Sequence, residues 1–361
     1  MHDGESTGGA AVAEQGPSDA GGAAPYDVFP TSRLKEALRS QSRNIGLLTA
    51  LVIAVAVISI PHPDYFTLAN AKVVGLEASY TMIAALGTAF LMIGGNIDLS
   101  IGSLLGLAAV VSALLANHVG SVPAILLAIL LAGAIGFTNG LLVWRVKLSP
   151  IIITLGSLTA IEGINDVLTG GAQVYQVPSD FSGLGLAEPL GLPSALFISI
   201  LLIPIAYVVL NRTTFGQYTF AIGANRPASF ATGLNVRRLV LVTFGLNGLL
   251  IGLVGTLEAS RFASADPTFG TGFELDVITA VILGGVAFTG GEGTITGVVI
   301  AVAFLAVIDS SFVWLGISAF YTNVVKGFVL IAAVTLDQIA HEQRERYQKM
   351  VAMRERASSG R

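Results

Sequence analysis

No cysteine occurs in the 361 residues, which excludes disulfides, thiolate metal sites and cysteine nucleophiles together. Histidine is nearly as scarce. His2, His62, His118 and His341 all fall in predicted loops or tails, so no imidazole pair faces another within an apolar segment, and haem or quinone roles lose support. No GxxxxGK[ST] stretch is present to cradle nucleotide phosphates, and no HExxH occurs. Charge is sparse as well: 12% of residues are charged against 53% hydrophobic, and the mean hydropathy is +0.77. That is too little polar surface to cover a soluble globule. What is abundant is apolar sequence in long runs and glycine, 42 residues of it. The chain therefore reads as an all-α polytopic membrane protein with the lipid bilayer as its solvent, and nothing in it implies a nucleic-acid partner.

Crossing the hydrocarbon core takes roughly 20 mostly apolar residues. Reading apolar runs between polar or Pro/Gly breaks gives ten candidate helices, at about residues 44–60, 73–93, 100–117, 122–144, 150–168, 192–210, 239–259, 273–289, 294–313 and 321–338. Basic residues test that count. With both termini cytoplasmic, the inside segments hold 16 of the 19 Lys and Arg residues, leaving Lys72, Arg261 and Lys326 as exceptions. Glu274, Asp276 and the turn at 289–294 make the eighth and ninth spans candidates for half-helices. Residues 1–32, with five acids and no base up to Asp27, read as a disordered cytoplasmic tail. No basic n-region or apolar h-region marks a signal peptide. Residues 33–340 form the expected transmembrane domain, and 341–361 a basic cytoplasmic tail.

The apolar sequence is interrupted at GGNIDLSIGS, residues 94–103. Inside hydrocarbon a helix breaks only where protein or a water-filled cavity pairs its backbone. Gly takes φ > 0 freely and Asn does so at small cost, so GGN suits an elbow between two helices. Asp98 and Ser100 are then expected to cap the helix starting near Ile101. Two readings stay open for the stretch: a cap and turn at the cytoplasmic face, or direct contact with cargo. On the second, Asn96, Asp98, Ser100, Ser103, Asn139, Glu274 and Asp276 are the candidate substrate-path residues. Glu162, Asn165, Asn247, Glu258 and Asp309 also fall within apolar spans, where isolated charges are costly. Lys326 is the one base well inside a span and is expected to pair with Glu274, Asp276 or Asp309. GGNIDLSIG and GGEGTITG together hint at an internal duplication of two five-helix halves. Glycines three or four apart, such as Gly133, Gly136 and Gly140, or Gly245, Gly248, Gly252 and Gly255, read as close helix contacts.

The inside loop NRTTFGQYTFAIGANRPASFATGLNVRR carries four arginines and no acid. Asn225 suits an N-cap, Pro227 a first helical turn and Gly233 a C-terminal stop, giving a short helix over about 226–232. Such a helix can dock on another protein or rest on anionic lipid.

Three stretches in order, GGNIDLSIGSLLGLAAV, FGQYTFAIGANRPASFATGLNVRR and GTGFELDVITAVILGGVAFTGGEGTITG, resemble the signature blocks of the membrane permease subunits of bacterial ABC importers for monosaccharides of the ribose, xylose and galactose type. The resemblance implies a multi-pass protein of the bacterial inner (plasma) membrane and a homodimer. It implies separate ATP-binding subunits inside, holding the ATP and Mg, and an extracytoplasmic sugar-binding protein outside. No cofactor is expected on this chain, and no enzymatic activity of its own. The resemblance also implies that Gly223, Asn225, Arg226, Pro227, Ala228, Ser229, Phe230 and Gly233 couple to the ATPase. The alternatives are an ABC permease for nucleosides or branched-chain amino acids, an ion-coupled secondary sugar carrier, and a non-transporting membrane scaffold.

Overall fold

A computed structural model describes the backbone of residues 31–359 and most side chains between Arg43 and Met353. The expected acidic tail lies almost wholly outside the described residues, as do the side chains of His2, His341 and most of the C-terminal bases. Among the described residues there are thirteen α-helices: α1 (Thr31–Ser59), α2 (Leu68–Ile93), α3 (Ile101–Val119), α4 (Ser121–Val146), α5 (Pro150–Thr169), α6 (Gly183–Leu186), α7 (Ser194–Arg212), α8 (Thr214–Ala224), α9 (Arg226–Ala231), α10 (Val236–Phe262), α11 (Phe273–Leu283), α12 (Ile295–Trp314) and α13 (Ala319–Ser359). Seven of them, α2, α3, α4, α5, α7, α10 and α12, are long and apolar enough to cross a bilayer, and α1 and α13 carry shorter apolar stretches over Arg43–Ser59 and Phe320–Thr335. The eighth expected span is α11, whose 11 residues rise only about 16 Å. It stops at Leu283, where Gly284 and Gly285 turn the chain, rather than running on to 289. His118 belongs to the last turn of α3 and not to a loop.

Glycine decides how the centre packs. A Cβ placed on Gly136 would come within 2.4 Å of the Phe244 carbonyl oxygen, and one on Gly248 within 2.4 Å of Ala132 O, so α4 and α10 touch backbone to backbone. A Cβ on Gly255 would likewise lie 2.2 Å from Leu105 O of α3. In lipid there is no hydrophobic drive between helices, so close van der Waals contact is what small residues contribute. Around α3, α4 and α10 lie the fully buried Ile83, Leu86, Ile101, Leu104 and Ile251. The segment after α5 is pinned to the far end of α10: Val174 and Ala265 exchange two backbone hydrogen bonds (2.7 and 3.0 Å), and Ser260 Oγ donates to Phe181 O (2.6 Å) while accepting from the Gly185 N–H (2.7 Å).

The helix ends on either side of the breaks are built alike. Gly94 and Gly284 close α2 and α11, Gly95 and Gly285 follow with φ of 74° and 84°, and the next N–H returns five residues, Asn96 to Leu91 O and Val286 to Val281 O. This pair of turns satisfies the last carbonyls of both helices in the same way. The turn that matches GGN in backbone geometry is therefore Gly284–Gly285, whereas the sequence pairing points to Gly290–Gly291. An arginine lies on the second turn: Arg43 Nη2 donates to Gly284 O (3.3 Å), at the negative end of α11.

Replacing Gly136 by Leu is expected to cost about 1–3 kcal/mol or more through overpacking against Phe244. Thermal unfolding in detergent should show a clear loss of Tm for Gly136→Leu, against no loss for Gly46→Ala, where a Cβ meets nothing within 4 Å.

Candidate functional site

The elbow between α2 and α3 spans residues 94–100, and it is buried: Asn96 is 2% exposed, and Asp98 and Ser100 are fully covered. GGN forms the elbow, and of its two residue types it is glycine, Gly95, that takes the left-handed conformation, not Asn96. Asn96 acts through its amide instead. Its Nδ2 donates to Gly94 O (3.2 Å) and its Oδ1 accepts from Arg226 Nη2 (2.9 Å). Asp98 and Ser100 do not cap α3 with their side chains either. Asp98 Oδ1 accepts from both the N–H (2.9 Å) and the hydroxyl (2.6 Å) of Ser100, folding the loop on itself. That arrangement satisfies the elbow locally while leaving the first turn of α3 to its backbone.

From there polar bonds reach the neighbouring helices. Asn139 of α4 donates to Ser100 Oγ (3.0 Å) and the Leu99 N–H donates to Thr154 Oγ1 of α5 (3.0 Å), while Thr88 of α2 separately donates to Asn247 Oδ1 of α10 (3.3 Å); Asn247 Nδ2 and Asp98 Oδ2 are buried without a hydrogen bond. Buried polar groups left without partners are costly, so a connected set of this kind fixes the register of the helices it joins. Ser103, 6% exposed, donates its hydroxyl to Ser100 O (3.0 Å). Thr88, Thr154 and Asn247 carry no sequence signal for this role beyond being polar in apolar helices.

The basic loop between α7 and α10 folds as its residues dictate. The Asn225 side chain accepts from the Ala228 N–H (3.0 Å) and Pro227 sits in the first turn of α9. After Thr232, Gly233 adopts φ 83°, its N–H returns to Phe230 O (3.1 Å) and that of Leu234 to Ser229 O (3.0 Å). α9 thus begins and ends where Asn225 and Gly233 place it. Pro227, Ala228 and Phe230 are exposed, Phe230 to 67%, while Ser229 is buried and bonds back to Ala221 O (2.9 Å). Arg226 turns the other way. Burial pushes its guanidinium below its ordinary pKa, and its hydrogen bond runs to the elbow.

Three glycine-bearing turns meet at that point. The Gly291 N–H donates to Ile93 O, the last carbonyl of α2 (2.8 Å). A Cβ on Gly223 would lie 1.8 Å from Ile93 O and 2.6 Å from Gly291 N, one on Gly290 would lie 2.8 Å from Gly95 Cα, and one on Gly291 2.7 Å from Ala224 Cα. The elbow, the end of α8 and the turn before α12 are therefore in backbone contact, which only glycine permits.

The remaining candidates gather on α11. Lys326 Nζ lies 2.9 Å from Asp276 Oδ2 and 3.0 Å from Asp309 Oδ2, joining α13, α11 and α12. The pairing expected for Lys326 is thus with two acids at once, and Glu274 is not one of them. Glu274 instead packs against α3, where a Cβ on Gly102 would come within 2.3 Å of its Oε2, and it feels the charge of Glu162 on α5. Among the described residues no group of three or more His, Asp or Glu is placed to hold a metal ion.

A family model for the permease component of branched-chain amino acid transport systems matches residues 73–334. The chain is 35% identical to the ribose import permease protein of Escherichia coli strain K12 over 295 residues, covering 80% of this chain and 92% of that protein. It is 35% identical to the ribose import permease protein of Bacillus subtilis strain 168 over 299 residues (82% and 93%), and 32% identical to the galactose/methyl galactoside import permease protein of E. coli K12 over 320 residues (83% and 95%). No solved structure matches significantly.

Lys326→Met is expected to destabilise the protein by about 3–5 kcal/mol, because two half-buried carboxylates are left facing each other. The same change combined with Asp276→Asn and Asp309→Asn should recover most of the loss in detergent unfolding, which a purely steric role for Lys326 would not allow.

Proposed function

The chain belongs to the permease-component family of branched-chain amino acid transport systems, and from that premise we propose that it is the membrane-spanning subunit of an ATP-driven importer of a monosaccharide of the ribose or galactose class. The sugar reading rests on the named relatives, which align over more than nine-tenths of their own length. Nothing on the chain resembles a nucleotide site, so hydrolysis belongs to a partner ATPase holding ATP and Mg, and the chain itself is not an enzyme. The observation that carries the coupling is α9, a capped helix with an exposed aromatic outside the membrane spans.

Ten passages with both termini cytoplasmic is the topology that the basic residues favour, counting α1, α11 and α13 with the seven long apolar helices. α11 would then be a half-span whose break is closed by the Gly284–Gly285 turn. A second copy of the chain supports the path. α5 is the least buried of the seven, with 17% of its apolar stretch covered, and its open face carries Glu162 with Gly156 and Gly163, where an added Cβ would meet nothing within 4 Å. A carboxylate on a bilayer helix needs water or protein beside it, so this face suits a two-fold contact enclosing a wet path. Of the sequence candidates, the half-buried Glu274 and the nearby Ser103 suit the lining; Asp98, Ser100, Asn139 and the Lys326-paired Asp276 suit the scaffold behind it. A neutral sugar fits a path of hydroxyl, amide and occasional carboxylate groups better than a ring of fixed cations would. On the outer side, the pinned segment between α5 and α7 offers a firm platform for a sugar-binding protein.

Vesicles holding the chain with its ATPase and sugar-binding protein should accumulate labelled monosaccharide in an ATP-dependent way. Vesicles with the chain alone under an ion gradient should not, and uphill uptake there would reject the reading. Phe230→Asp should weaken ATPase co-purification about 30-fold or more, as loss of a central aromatic contact does, with the variant still monodisperse.

A further inference from the structure

Asn96 reads from the sequence as a residue that cargo would touch, and Arg226 as one that an ATPase would touch, 130 positions apart. In the fold they touch each other, Arg226 Nη2 donating to Asn96 Oδ1 at 2.9 Å. Asn96 is 2% exposed, so neither a solute nor a partner subunit reaches it in this conformation. Its other polar group is used inside the elbow, Nδ2 to Gly94 O. The Asn96 side chain thus joins the start of α9 to the turn that ends α2. Next to it, Gly291 holds Ile93 O, and Gly223 and Ala224 press on Ile93 and Gly291. The end of α8, one residue before α9, is in backbone contact with the elbow and the Gly291 turn, so the Arg226 bond and this contact together join the start of α9 to the elbow.

We propose that the Arg226–Asn96 hydrogen bond is the positioning contact that carries movement of the docking helix α9 into the α2–α3 elbow, making Asn96 a coupling residue rather than a contact for the solute. The inference rests on the importer reading above and adds to it a named route from α9 into the membrane. From the elbow the movement reaches α4 and α5 through Ser100–Asn139 and Leu99–Thr154, and reaches α12 through Gly291. The physical warrant is a contiguous set of bonds with a buried, charge-assisted member at its entry.

The test uses the complete importer, permease with ATPase and sugar-binding protein, in proteoliposomes, and reads ATP hydrolysed per sugar imported. Asn96→Ala should still co-purify with the ATPase but raise that ratio about fivefold or more, and Arg226→Met added to it should raise it no further. Asn96→Asp, which keeps an acceptor for the guanidinium, should hold the ratio near wild type. An unchanged ratio in Asn96→Ala would overturn the proposal. If Asn96→Ala does not give monodisperse protein, Arg226→Met carries the test: retained co-purification with a raised ratio supports the route. Lost co-purification overturns it, since Arg226 would then serve the ATPase directly. Failure of the wild-type chain to bind an ATPase at all is a separate result, one that strikes the importer reading and not this contact.

Discussion

A helix that ends within a bilayer protein must find donors for its last carbonyls inside the chain, and the end of α2 is organised around that need. Phe90, Leu91 and Met92 are served by the N–H groups of Gly94, Asn96 and Gly95, and Ile93 by Gly291 from the turn before α12. The fourth donor is the consequential one, because it comes from a part of the chain nearly 200 residues away. To bring Gly291 that close, the backbone must tolerate φ of 74° at Gly95, 86° at Gly290 and 79° at Gly291, and Gly223 must present no side chain. Completing one helix end thus brings three loops into contact, and the short helix α9 comes with them.

Polar groups in the spans divide by whether they are matched. The Asp98 set and the Asp276–Lys326–Asp309 set are joined among themselves, with Asp98 Oδ2 and Asp309 Oδ1 buried without a hydrogen bond, and each set ties three or more helices together. Removing one member is the costly event, more so than replacing a whole set. Glu162 and Glu274 are different. Among the described residues neither acid forms an ion pair with a base; Glu162 is exposed on the little-buried α5 and Glu274 is half-buried at the start of α11. Groups of the first kind hold the scaffold, and groups of the second kind suit a wet path between two copies.

Much of this was legible in the residues. Apolar runs locate the helices to within a few positions, except that α1 begins well before its run, α13 continues well past its own and α11 stops short at Leu283. Asn225, Pro227 and Gly233 give both ends of α9, since caps are local chemistry read within four residues. The base in a span predicts its acidic partners by elimination, though two acids share it. What stayed hidden is long-range. Asn96 looks like a residue chosen for its backbone, yet Gly95 takes the unusual φ and Asn96 is there for its amide. Nothing in the local sequence says that Arg226 is the donor it meets, or that the glycines at 94, 223 and 290 belong to one joint. Likeness of letters pairs GGN with GGE at 290, while backbone geometry pairs it with the turn at 284, because a helix end is defined by which carbonyls need closing and not by the residues beyond it.

The central claim, that docking helix and intramembrane elbow move as one joint, is tested most directly by hydrogen–deuterium exchange on the complete importer, comparing the nucleotide-free complex with one trapped in ATP. The account predicts that amides of α9, of the elbow around Gly95 and of the turn at Gly290–Gly291 change protection together on trapping. A change confined to α9, with the elbow and the turn unaltered, would contradict it.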